Sequence, residues 1–161
     1  VNKYLLKIGA LNKEPLPYRD RVEVIIRNKG KILLTRNPDE PDTHLWRGFP
    51  GGGVDGQTHS SACENECLEE VGVKIKNVKA LGVTHTEEGM STNKNRHLQY
   101  RGSKTNWYMA DYDGLDTSVL GMDGDAQKHI WRSHEDALLD VERSAGTMKD
   151  SKMKALKLSK Y

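Results

Sequence analysis

Three glutamates, Glu66, Glu69 and Glu70, stand at i, i+3 and i+4 in the stretch GFPGGGVDGQTHSSACENECLEEVGV, residues 48–73, behind a run of glycines. On a helix this spacing stacks three carboxylates on one face, while Glu64 points elsewhere. Each like-charged pair costs an isolated helix roughly 0.2–0.5 kcal/mol, so the pattern asks for a cation. Oxygen-only ligands in this number suit Mg²⁺ (or Mn²⁺), which keeps several waters and bridges phosphates. The glycines bring bare backbone to the start of the same helix, where amide groups and the helix dipole favour anions. Carboxylates for a metal and backbone for phosphates would then share one site. Three glutamates alone would fit a solvated acidic face, but the glycines ahead of them and the strand–loop–helix setting favour the chemical reading.

The surrounding elements have to hold that site. Val22–Ile26 is a β-branched run, Asn28–Gly30 a turn signal and Lys31–Thr35 a second apolar run, which together predict a hairpin. NPDEPDTH (37–44) predicts an exposed loop, Leu45–Phe49 a short apolar return, and Gly51–Gly56 a turn, because three consecutive glycines are costly in a strand or helix. Thr58–Val71 reads as a helix with Thr58 or Ser60 as its cap and Gly72 as its C-terminal stop. VKIKNVKALGVTHT and WYMADYDG (107–114) read as strands, separated by a long polar stretch at 86–105. HIW (129–131) is a short strand, and Ser133 with Asp136 forms a near-capping box for the helix EDALLDV. The order β-β-β-helix-β-β-β-helix predicts a mixed sheet with helices packed on it.

At 161 residues the chain reads as one domain over 1–148, with a core from about 20 to 142 and a basic tail or helix at 149–161. That last segment holds five lysines against Asp150, a balance of +4, so the net charge of +2 leaves the body at −2. Such a total marks no nucleic-acid surface, and the lysines read as a solvated terminal helix or frayed tail. No apolar run approaches the roughly 18–20 residues of a membrane span, and VNKYLLKIGA is too short in its apolar core for a signal peptide. The expected setting is the cytoplasm, without a membrane partner. The two cysteines, Cys63 and Cys67, lie four apart on one helix face and read as reduced core thiols. With His59 they fall short of the four ligands a zinc site takes. Trp46, Trp107 and Trp131 read as core or sheet packing, with stacking on a base as the alternative for one of them.

The segment resembles the box of the Nudix hydrolases, G-x5-E-x7-R-E-U-x-E-E-x-G-U with U apolar. Gly51, Glu66, Cys67, Glu69, Glu70, Gly72 and Val73 match at the required spacing, and KILLTR, FPGG and HIWRSHEDAL resemble the family's flanking segments. The likeness covers residues from about 20 to 140. Two positions depart from it: Gln57 stands for the first Glu of the box and Asn65 for its Arg. The family commonly pairs those two charges as a brace, and replacing both leaves two amides able to hydrogen-bond, whereas replacing one would strand a charge. The turn FPGGGVDGQT is one residue shorter than the common form.

The resemblance implies a Nudix-type α/β/α sandwich with a mixed β-sheet, an α/β fold. It implies Glu66 and Glu70 as principal metal ligands, with Glu69 a further ligand or the group acting on the attacking water. The carbonyl of Gly51 or Gly52 completes the metal set. For the general base the candidates are Asp125, Asp123, Glu87 and Glu88; for substrate phosphates, Arg36, Arg47 and Arg101, each of which has a plain surface-charge alternative. The implied activity is hydrolysis of a pyrophosphate bond in a nucleoside diphosphate linked to another moiety, with Mg²⁺ (or Mn²⁺) as cofactor and a nucleotide-derived small molecule as substrate. Nucleoside triphosphates, dinucleoside polyphosphates, nucleotide sugars, ADP-ribose and capped RNA all fall within it, and nothing in the chain singles out one of them. The rival is a Nudix-fold binding module for a nucleotide or a protein, part of a longer polypeptide, which the start at Val1 leaves open. A module released from catalysis has no reason to keep the Glu66, Glu69, Glu70 face.

Overall fold

The computed structural model describes residues 16–37, 46–89, 99–114, 128–144 and 146–161. Strands β1 (Tyr18–Asn28) and β2 (Lys31–Arg36) form the expected antiparallel hairpin. It turns through Lys29 and Gly30, both at positive φ (50° and 77°), which matches the twist a two-residue hairpin loop needs. Then follow β3 (Gly51–Gly53), α1 (His59–Val71), β4 (Ile75–Glu88), β5 (Gly102–Tyr112), β6 (Lys128–Ser133), α2 (His134–Arg143) and α3 (Lys149–Ser159). The strands lie in the order β4-β5-β1-β2-β6, with β3 also paired to β1. Only β1 and β5 run parallel; the other pairs are antiparallel, so the sheet is mixed.

Alternation along β1 divides the core. Val22, Val24 and Ile26 face α1 together with Cys63, Cys67, Val71 and Ala110. Ile25 faces the other side, where it joins Leu34, Trp107, Val141, Ala155 and Leu156 beneath α2 and α3. The result is the mixed sheet expected from the order of elements, in the α/β/α sandwich that the resemblance implies.

Three local expectations need correction. The third strand is the glycine run itself and not Leu45–Phe49; residue 45 lies outside the described residues, and Gly48 makes only an isolated bridge to Thr35. Gly51, Gly52 and Gly53 pair with Glu23, Val22 and Arg21 of β1. At Gly51 an added Cβ would stand 3.0 Å from Cδ of Glu23, so close approach of the two strands outweighs the entropic cost of glycine in a strand. The polar stretch at 86–105 is strand at both ends, since β4 runs on to Glu88 and β5 starts at Gly102; residues 90–98 lie outside the described residues. The basic C-terminal segment is a packed helix rather than a solvated one. Ala155, Leu156 and Ser159 are fully buried, Lys154, Lys157 and Lys160 keep to the outer side, and Lys152 turns inward.

No helix among the described residues is long and apolar enough to cross a membrane. Because Leu156 sits in the core, Leu156→Ala should cost about 2–5 kcal/mol. Urea unfolding measures this, and a loss below about 0.5 kcal/mol would make α3 the solvated appendage that its lysines suggest.

Candidate active site

Helix α1 is set by its ends and its thiols. Thr58 is the cap, its Oγ1 accepting from the Ser61 amide at 3.1 Å, and Gly72 closes the other end in the left-handed conformation (φ 66°, ψ 26°). Cys63 and Cys67 are both fully buried, and burial pushes the Cys63 thiol up to about 12. With the thiols anchored in the core, Glu66 and Glu70 fall on the half-buried margin of the helix while Glu69 is exposed. Gln57 and Asn65 do meet: Asn65 Nδ2 donates to Gln57 Oε1 at 2.5 Å across the turn. His59 is engaged with other partners than the thiols. Its ring nitrogens contact Tyr108 Oη and Asp20 Oδ2, each at 2.6 Å, tying the first turn of α1 to β5 and β1.

The glycine strand is where the carboxylates converge. Gly51 N–H donates to Glu70 Oε2 at 3.2 Å. A Cβ on Gly52 would run into the carboxylate of Glu66, so glycine is what lets that group lie against the strand. Glu23 enters from β1, opposite Gly51. Loss of water pushes Glu70 up to about 9, with a further push from Glu66 and Glu23 and partial relief from the Gly51 amide and Arg21. Burial likewise raises Glu23 to about 7, against the pull of Arg21 and Lys152. Among the described residues no three His, Cys, Asp or Glu side chains are gathered tightly enough to form a ready-made cage. Buried acids that resist ionisation beside one another, with oxygen donors only and a glycine cradle at Glu66, fit a hard divalent cation.

A cleft of about 250 Å³ opens beside them. Its acids are Glu23 and Glu70, its cations Arg21, Arg36, Arg47 and Lys152, and Phe49 and Gly51 line its wall. Arg36 is buried, with its guanidinium 4.2 Å above the Trp46 ring; Trp107 is core and meets Phe49 edge-on; Trp131 meets Tyr112 in the same way. Lys152 Nζ donates to the Arg47 carbonyl at 2.8 Å, and burial lowers its pKa.

Arg36 and Arg47 therefore lie in the cleft, and Arg101 does not. Arg101 pairs with Glu88 at 3.0 Å and sits over the Tyr18 ring. Glu88 is engaged there, and Glu87 accepts from Thr147 Oγ1 at 2.9 Å. Asp123 and Asp125 lie outside the described residues. Sequence reasoning missed Arg21, Glu23 and Lys152. A signal existed for Glu23, a carboxylate interrupting the β-branched run of β1 at an inward position; Lys152 was hidden among its solvated neighbours.

Residues 17–151 match the NUDIX domain. The chain belongs to the Nudix hydrolase family. It is similar to an RNA pyrophosphohydrolase of Gluconobacter oxydans, 28% identical over 109 residues, which cover 65% of this chain and 63% of that protein. It is also similar to an RNA pyrophosphohydrolase of Shewanella denitrificans, at 29% identity over 125 residues and 71% and 69% coverage. A Nudix hydrolase structure from Nitrosomonas europaea shares the fold at a TM-score of 0.60 and 14% identity, over 89% of this chain and 90% of that one.

Glu70 carries a sign that calorimetry can read. Its folded pKa lies above the unfolded value, so the stability it contributes is full below about pH 4.5 and is lost as pH rises through about 9. Metal-free Glu70→Gln should therefore be more stable than the parent at pH 8, by about 1–3 kcal/mol, and melt higher, with the difference shrinking toward pH 5. Equal melting at both pH values would refute the buried-acid account. Gly52→Ala should displace Glu66 and lower the Mg²⁺-induced rise in melting temperature while the metal-free melting temperature changes little; an unaltered Mg²⁺ effect would show that the Glu66 cradle is not needed.

Proposed function

We propose that this chain hydrolyses a pyrophosphate bond in a nucleoside diphosphate linked to another moiety, using Mg²⁺ (or Mn²⁺). One observation carries the reading: two carboxylates whose charged forms burial disfavours and four cationic side chains line one cleft. A substrate's phosphates with a divalent ion satisfy both at once.

Glu66 and Glu70, with a carbonyl of Gly51 or Gly52, would hold the ion, and Glu69 stands as a further ligand or as the group orienting the attacking water. When bound, the ion supplies charge for the phosphate oxygens and lowers the pKa of water. Arg36, Arg47 and Arg21 offset charge on the phosphoryl groups and on the leaving phosphate. Glu70, protonated in the metal-free protein, gives up its proton on binding, so affinity for the ion should rise with pH. Asp125 remains the proposed general base, and Arg101 a contact for substrate parts that reach beyond the cleft. The relatives named as RNA pyrophosphohydrolases make an RNA 5′ end, capped or triphosphorylated, one substrate to include beside free nucleotides. Buried free thiols suit an intracellular, cytoplasmic setting.

A hydrolysis screen over nucleoside triphosphates, dinucleoside polyphosphates, nucleotide sugars, ADP-ribose and 5′-capped or triphosphorylated RNA, with Mg²⁺ or Mn²⁺, tests this beside Glu70→Gln. The expected result is turnover that falls by about 100-fold or more in the variant, the scale of losing one transition-state contact. Folded parent protein inactive on every class would turn the reading toward a nucleotide-binding module.

A further inference from the structure

The C-terminal helix reaches the cleft with one side chain. Of the five lysines in residues 149–161, Lys152 alone lines it, while Lys154, Lys157 and Lys160 are exposed. Its position follows from helix geometry. Lys152, Leu156 and Ser159 share one face at i, i+4 and i+7, and burial of Leu156 and Ser159 turns Lys152 toward the sheet. The ammonium is held, not loose: Nζ donates to the Arg47 carbonyl, and Glu23 faces it across the cleft.

One hydrogen bond uses one of the three donors of an ammonium group. The neighbours Arg21, Arg36 and Arg47 make this the fourth cation around a space of about 250 Å³, against two carboxylates. An added cation attracts a terminal triphosphate, at about −4, more strongly than an internal diphosphate diester, at about −2, because its Coulomb energy scales with the charge of the anion.

We propose that Lys152 is a substrate-binding residue, that α3 is thereby part of the active site, and that this lysine tunes the cleft toward substrates ending in a polyphosphate chain over internal diphosphate diesters. The proposal rests on the hydrolase reading for its substrate preference, but not for anion binding as such. Lys152 binds phosphate oxygens and takes no part in bond breaking.

Inorganic pyrophosphate with Mg²⁺, followed by calorimetry, reads the binding step without turnover. Lys152→Met keeps the stem and removes the charge; Lys160→Ala removes the same charge from the exposed end of the helix, where Lys160 borders a different cleft with Arg27 and Lys31. Lys152→Met should weaken pyrophosphate binding about tenfold or more, Lys152→Arg should restore most of it, and Lys160→Ala should leave it unchanged. With substrates, Lys152→Met should raise KM for a nucleoside triphosphate about tenfold while kcat stays within about twofold, and should move KM for a diphosphate diester less. Undiminished pyrophosphate binding in Lys152→Met, or equal weakening by Lys160→Ala, overturns the proposal. A folded parent that turns over nothing yet loses pyrophosphate binding on Lys152→Met would refute the hydrolase reading and the substrate preference while keeping Lys152 as a phosphate ligand. Should Lys152→Met fail to fold, Lys152→Arg and Lys152→Gln decide the same comparison.

Discussion

Everything near the cleft depends on the fit of carboxylates against a strand with no side chains. Glu66 lies where a Cβ of Gly52 would be, Glu23 crowds Gly51, and Glu70 takes the Gly51 amide. Seating β3 against β1 is what brings an acid of the sheet within electrostatic reach of two from the helix. The cost falls on Glu70 and Glu23, whose charged forms the protein disfavours by burial. Such a cost is typical of a group kept for chemistry rather than for folding.

The rest of the molecule serves as the frame for that contact. Cys63 and Cys67 orient α1 by being buried, so the helix turns its glutamates to the glycine strand. Arg19 grips Asp55 through two hydrogen bonds behind Gly53, and Asn65 meets Gln57 across the same turn. The amide pair stands at the two positions where the resemblance implies a charged brace. Being exposed, it contributes little to stability, which agrees with the modest value of surface pairs in general.

Period and punctuation made most of the frame legible in the sequence. The hairpin, α1 with its Thr58 and Gly72 ends, the Ser133 cap of α2 and the mixed sheet all rest on short-range rules that tertiary structure left standing. The failures share one cause, which is that a neighbour distant in the chain decided the outcome. Gly51–Gly53 became a strand because β1 lies beside it. Lys152 was unreadable because the burial of Leu156 and Ser159, and not its own type, aims it. Glu23 is an intermediate case: its misfit in an apolar run is local, but its meaning depends on Gly51. In the candidate site, the shared face of Glu66, Glu69 and Glu70 was legible in their spacing and their metal role came from the resemblance, whereas the cations beside them come from four separate segments.

One feature of the sheet governs how the chain arrives at this arrangement. The central pair, β1 with β5, is parallel and joins Tyr18 through Arg27 to Gly102 through Asp111, partners 84 positions apart in sequence. A loop of that size must close before either strand gains its neighbour, and the entropy of closure is met before any ladder bond repays it. The β1–β2 hairpin and α1 can form early from nearby contacts, yet until β5 arrives β1 presents an open, β-branched edge with Val22, Val24 and Ile26 on it. Folding of this protein should therefore be slow on the millisecond-to-second scale of non-local sheets, and its hazard during that interval is edge-to-edge association through β1.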